Sequence, residues 1–207
     1  MPAISSDGFA MDVAGTRYRS LADLCAYCYG VAGAVGVMMA LILGVPRADA
    51  DTLDRAADLG LAFQMTNIAR DVVADAAIGR IYLPTDWLAA EGIAADPAVL
   101  GDPANAAPVF RVAARLVAAA EPYYRSARVG TDRLPPRTAW GIMAAQRIYR
   151  AIGTRRVAAG PPGLATRVGT SRAEKAALIA GAGFAAVSRR PAAAVGREGL
   201  WQRPPRP

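Results

Sequence analysis

The sequence predicts an all-α protein, and three observations carry that prediction. Ala, Leu and Val recur throughout, with few of the alternating β-branched runs that mark strands. Residues 26–46 form an uninterrupted uncharged run long enough for several helical turns. Gln64, Asn67, Asp71 and Asp75 then fall three, four and four residues apart, so a helix would set all four polar groups on one face. At 207 residues, with 54% apolar and 20% charged content, the chain can close one ordinary core, and wholesale disorder is excluded. No repeat of solenoid period is present.

Taken in order, residues 1–20 read as a loop, and Ser20 or Asp23 caps a helix running to about Leu43. Gly44-Val45-Pro46 ends it. Asp49 to Asp54 place acidic residues at the start of the next helix, which carries the Gln64 to Asp75 face. Thr85-Asp86-Trp87-Leu88 begins a short helix, and residues 92–108 form a Pro-, Gly- and Ala-rich connection. Val109 to Arg128 is helical, with Val112, Leu116, Val117 and Ala120 inward and Pro122 expected to kink or interrupt it. Arg137 to Arg156 follows, with Trp140, Met143, Ile148 and Ile152 as its apolar contacts. Gly160-Pro161-Pro162-Gly163 is a break. Ser171 to Ser188 is a last Ala-rich helix with Ser171-x-x-Glu174 as a capping box. The domain is expected to span residues 1–187, and residues 188–207 to be an irregular Arg- and Pro-rich tail, solvated or lying on a membrane surface.

Charge is unevenly spread. Residues 1–149 hold 13 Lys/Arg against 15 Asp/Glu, whereas residues 150–207 hold 11 against 2, within an overall +7. No basic helix interleaved with aromatics and no recognised binding module occurs, so nucleic acid is not an expected partner. Cys25 and Cys28 form a Cys-x-x-Cys, yet there is no second pair and no His in the chain. A four-ligand zinc site from this chain alone would lack its other strong ligands, and buried helical thiols are the better reading. No basic-then-apolar signal pattern follows Met1.

The chemistry concentrates in residues 64–84, QMTNIARDVVADAAIGRIYLP. An Asp-x-x-x-Asp pair on its own is more often a solvated helix face than a metal site. Here Leu59, Phe63, Ile68 and Val72 lie beside it, so the carboxylates border a buried stripe and call for a cation. Hard oxygen ligands suit Mg²⁺, which keeps several waters and bridges to substrate phosphates. Gly79, Arg80 and the Tyr82-Leu83-Pro84 segment would form a rigid lip next to them.

Leu59-Gly60-x-x-x-Gln64-x-x-Asn67-Ile68-x-Arg70-Asp71-x-x-x-Asp75, continuing to Arg80-x-Tyr82-x-Pro84, resembles the second aspartate-rich signature of the squalene and phytoene synthases. Tyr27-Cys28-Tyr29-Gly30-Val31-Ala32-Gly33-Ala34-Val35-Gly36-Val37-Met38-Met39 is similar to the family's other signature, and Ala120 to Tyr124, Ala139-Trp140, Ile148 to Gly153 and Leu200 to Pro204 resemble its bacterial phytoene branch.

The resemblance implies an isoprenoid-synthase-type helical bundle and a Mg²⁺-dependent prenyltransferase of carotenoid biosynthesis, with Mn²⁺ as the alternative metal. Two geranylgeranyl diphosphates would condense head to head, through a cyclopropyl diphosphate, to phytoene. It implies Asn67, Asp71 and Asp75 as metal ligands, with Gln64 and Arg70 supporting them. Tyr27, Tyr82, Tyr149 and Arg167 would lie on the diphosphate side, and Val31, Val35, Met39 and Phe63 would line a prenyl channel. Ordinary core packing is the competing reading of each of these apolar residues, and of Tyr149. The uncharged run, long enough to span a membrane, is then read as the core helix of a cytoplasmic enzyme, with the inner membrane face as a peripheral site.

The family's first Asp-x-x-x-Asp motif has no counterpart before Tyr27, where only Asp7, Asp12 and Asp23 occur. The expectation is therefore an incomplete bundle lacking the early helices, equivalent to the C-terminal two-thirds of the family fold and served by a complementary N-terminal segment. Alone it would make little or no phytoene. The alternative is an inactive fragment or a prenyl-diphosphate-binding assembly module.

Overall fold

The computed structural model describes residues 11–166, 169–188, 193 and 195–204, and among them every regular element is helical. Helix α1 (Leu21–Cys28) passes through a π-helical turn (Tyr29–Gly33) into α2 (Ala34–Ile42). Helix α3 (Ala50–Ala77) is followed by the short α4 (Thr85–Ala90) and α5 (Pro97–Gly101), and by the long α6 (Ala106–Thr131) and α7 (Pro136–Ala158). A 3₁₀ turn (Pro161–Ala165) leads to α8 (Arg172–Ser188).

Local signals account for most boundaries. Ser20 and Asp23 form a reciprocal capping box: the Ser20 hydroxyl accepts the Asp23 N–H at 3.3 Å, and the Asp23 carboxylate accepts the Ser20 N–H at 2.9 Å. Asp49 caps α3 by accepting the Thr52 N–H at 3.1 Å. Asp96 and Asp102 likewise accept backbone N–H groups, and start α5 and a 3₁₀ turn (Pro103–Asn105) inside the stretch expected to be plain connection.

Helix α3 is the central element. Its main partner is α6, and α1, α2, the π turn and α7 also pack on it. The α2–α3 crossing brings backbones together: a Cβ on Gly36 would lie 2.3 Å from the Ala56 carbonyl oxygen, and one on Gly60 2.4 Å from that of Ala32. Only glycine fits at either place. The apolar stretch Leu21–Ile42 is therefore a packed element, with Leu24, Tyr27, Cys28 and Val37 buried in the core. Cys25 and Cys28 are free and buried, and burial pushes the Cys25 thiol up to about 11, which keeps both thiols unreactive.

The expectations for Pro122 and for the tail need correction. Helix α6 runs unbroken through Pro122. Flanking tyrosines tie both sides of the proline to the core: Tyr124 shares a 2.8 Å hydrogen bond with Thr66, and the Tyr123 hydroxyl accepts the Trp201 N–H at 3.1 Å. Tertiary anchoring here outweighs one missing N–H.

The tail is the second correction. Its described part, 193 and 195–204, is irregular as expected but docked, not solvated. Arg197 grips Asp58 through two nitrogens at 2.8 and 2.9 Å and reaches Asp54 at 3.2 Å. Arg203 pairs with Asp54 as well, and the Trp201 ring lies 5.3 Å from that of Tyr29. Asp58 is fully buried on α3, and such a carboxylate is costly unless a cation meets it.

A smaller cluster joins α7 to α8 through Ala139, Met143, Ala144, Ala182 and Ala186. Trp140, expected as a core contact, is half-exposed, and its indole N–H donates to the Ile179 carbonyl at 2.8 Å. At the start of α8 the Glu174 N–H reaches the Ser171 hydroxyl at 3.2 Å, one half of the expected box.

Candidate functional site

The last three turns of α3 and the segment that follows build a polar site beside an apolar cavity. Asn67, Asp71 and Asp75 are partly buried along one face of α3, while Ile68, Ala69, Val72 and Ala76 turn into the core. Helix α3 stops at Gly79, whose φ of 79° lets the chain reverse, and the Arg80 N–H returns to the Asp75 carbonyl at 2.9 Å. That reversal brings Arg80 and Tyr82 back toward the carboxylates.

Charge shapes this face. Arg70 forks onto both oxygens of Asp71, with one bond of 2.8 Å, and this pairing raises the guanidinium above its ordinary value. Burial, reinforced by the neighbouring Asp71, pushes Asp75 up to about 6, with Arg80 and Arg70 opposing. The Asn67 side-chain oxygen is buried with no hydrogen-bond partner. A buried amide oxygen without a donor, on one helix face with the carboxylates of Asp71 and Asp75, is a donor set suited to a hard divalent cation. No group of three His, Cys, Asp or Glu converges among the described residues, so α3 supplies a partial ligand set.

Tyr27 and Tyr82, placed on the diphosphate side by resemblance, come together here. Both hydroxyls donate to Asp12, Tyr27 at 3.0 and 3.1 Å and Tyr82 at 2.8 Å, and their rings stack at 5.3 Å. Tyr18 packs on Tyr27 at 5.0 Å. Burial, with the nearby Asp12 charge, pushes all three phenols up, so each keeps its proton for donation.

The cavity, of about 500 Å³, runs beside the preceding turns of α3. Val31, Val35, Met39 and Phe63 all line it, with walls added by α6 and α7. Val35 and Met39 are 43% and 48% exposed, which makes them a rim and not a packed seam. Tyr149 stacks on Phe63 at 4.2 Å. Gln64, partly buried, follows Phe63 on α3. Arg167 lies outside the described residues.

Two residues escaped the sequence reading. Asp12 stood only as a loop position, yet it collects two tyrosine hydroxyls across 15 and 70 residues of chain. Arg156 is almost fully buried at the end of α7 and donates to the Gly163 carbonyl at 2.6 Å and to the Arg70 carbonyl, behind Asp71. Its spacing of four from the buried Ile152 was the available signal.

The squalene/phytoene synthase family profile matches residues 4–174. The 15-cis-phytoene synthase of Enterobacter agglomerans is 54% identical across 99% of this chain, and that of Paracoccus sp. (strain N81106 / MBIC 01143) is 54% identical across 96%. The chain spans 69% and 63% of the lengths of these relatives. Among solved structures, a dehydrosqualene synthase in complex with ligand superimposes with a TM-score of 0.76 at 25% identity, over 89% of this chain and 64% of that one. YisP of Bacillus subtilis has a similar fold, with a TM-score of 0.68 at 20% identity, over 84% of this chain and 71% of its own.

Proposed function

The chain belongs to the squalene/phytoene synthase family, and from that premise we propose that it acts as a Mg²⁺-dependent prenyltransferase joining two geranylgeranyl diphosphates head to head. The observation that carries this reading is a juxtaposition on α3. Asn67, Asp71 and Asp75 lie one to three turns beyond Phe63, so a metal-and-diphosphate face adjoins an apolar cavity of about 500 Å³. A prenyl diphosphate needs both parts.

Asn67, Asp71 and Asp75 would hold the metal, which supplies Lewis-acid neutralisation of the diphosphate when bound. Arg70 and Arg80 orient the diphosphate oxygens, Arg70 by exchanging its hold on Asp71 for the substrate. Tyr27 and Tyr82, their hydroxyl protons held by Asp12, form a fixed aromatic wall on the diphosphate side. Phe63, Tyr149 and the cavity wall keep water from the allylic cation left behind. Carbon–carbon bond formation releases the first pyrophosphate and a proton and leaves a cyclopropyl diphosphate. Its ionisation and rearrangement release the second pyrophosphate, with loss of another proton giving phytoene. The half-exposed rim at Val35 and Met39 is where such a product leaves, and it suits action at the cytoplasmic face of a membrane.

Calorimetry with geranylgeranyl diphosphate, with and without Mg²⁺, tests the assignment, and product analysis tests the chemistry. Asp71→Asn is expected to abolish Mg²⁺-dependent binding while helicity is retained. Unchanged binding by that variant would overturn the site. Mg²⁺-dependent binding without turnover by this chain would leave a diphosphate-binding module in place of the enzyme.

A further inference from the structure

Away from the carboxylate face, α6 and α7, with Ala193 and Val195 of the C-terminal segment, border a recess of about 310 Å³ whose described walls carry four arginines and no acid. We infer that this recess binds a phosphate-type anion through Arg125 and Arg128 of α6 and Arg147 and Arg150 of α7. Each pair is spaced three apart, so both guanidinium groups of a pair stand on the face its helix turns toward the other.

The charge balance defines the ligand. Glu121, at the edge, takes Arg150 at 2.8 Å and lies 3.8 Å from Arg125, while Asp132 takes Arg128. Arg147 has no carboxylate partner among the described residues. Among the described residues, four guanidinium groups stand against the carboxylates of Glu121 and Asp132, an excess of positive charge that suits a phosphate-type anion. Burial, together with the Arg147 charge, pushes the Arg128 guanidinium below its ordinary value, a crowding of like charge that an anion between the two relieves.

The recess is also built, not merely charged. Its floor is fixed by Gln146, whose amide donates to the Tyr124 carbonyl at 2.6 Å. Gly181 of α8 makes the space for Arg147, since a Cβ there would lie 2.7 Å from the guanidinium. Guanidinium forks from two directions suit the oxygens of a tetrahedral phosphate. The Tyr124 side chain, buried against Thr66 and Phe63, separates this recess from the α3 site, so the inference stands independently of the proposed reaction.

The test titrates the purified chain with inorganic phosphate in the absence of divalent metal, followed by calorimetry. Arg128→Gln/Arg147→Gln is expected to lower the affinity at least tenfold, and Arg111→Gln, at an exposed arginine paired with Glu91 outside the recess, to leave it unchanged. If the double variant does not fold by circular dichroism, Arg147→Gln alone serves, with a loss of several-fold. Flotation with phosphatidylglycerol and phosphatidylcholine vesicles separates the sources. Release from phosphatidylglycerol by inorganic phosphate identifies a lipid headgroup, and phosphate binding without vesicle binding identifies a free anion. Absence of phosphate binding by the folded chain, or equal affinity in the glutamine variants, overturns the inference.

Discussion

Asp75 holds its negative charge against its surroundings, because burial and the adjacent Asp71 both favour the protonated acid. Its folded value of about 6 lies above the ordinary 3.8, so the folded chain binds more protons than the unfolded one between those values. The contribution of Asp75 to stability is therefore greatest in acid and is lost as pH rises through about 6. Asp75→Asn should stabilise the fold at pH 7 by about 1 kcal/mol after solvent screening, while abolishing Mg²⁺-dependent diphosphate binding. Thermal unfolding at pH 5 and pH 8 checks the first part: the gain should shrink at the lower pH, and a variant less stable than wild type at pH 8 would contradict it. The four-residue rhythm of this face was legible because helical periodicity is local. Asp12 was not, since its partners Tyr27 and Tyr82 reach it only through the fold.

At the scale of elements, α3 carries the Asn67–Asp75 polar face and is also the beam against which α2 and α6 pack, so candidate site and core share one helix. The α2–α3 contact shows the cost of that sharing. With the Gly60 Cβ position 2.4 Å from the Ala32 carbonyl oxygen, Gly60→Ala must push the helices apart, and we expect a loss of about 2 kcal/mol in urea unfolding. Wild-type stability in that variant would show the crossing to be looser than described. A few ångströms away the outcome changes character. Val35→Phe and Met39→Trp occupy the half-exposed rim of the cavity, so they should fold normally yet bind long prenyl diphosphates several-fold more weakly than short ones. Unfolding of both variants would return these residues to core packing. Gly33 and Gly36 are visible in the sequence, but the helix they pack against is not. Pro122 does not interrupt α6, because propensity speaks of an isolated helix, whereas Tyr123 and Tyr124 hold this one together from the side.

Across the whole molecule, the basic C-terminal part of the chain closes onto the acidic first half of α3. Its excess of Lys/Arg was plain in the sequence, but its destination was not, because Arg197 meets Asp58 across 139 residues. Solvation was the natural reading of an Arg- and Pro-rich tail, and it failed because Asp54 and Asp58 stand where water does not reach them well. Removing the cation leaves the Asp58 carboxylate buried, with Ser126 as its remaining donor at 2.5 Å. Arg197→Ala should then cost about 3 kcal/mol or more in urea unfolding, and should open residues 195–204 to limited proteolysis. Arg197→Ala/Asp58→Asn should recover part of that loss, since it also deletes the orphaned charge. The tail should stay protease-sensitive in both variants. If Arg197→Ala instead matches wild type in both measurements, the docked tail contributes nothing, and α3 carries its buried acid without help.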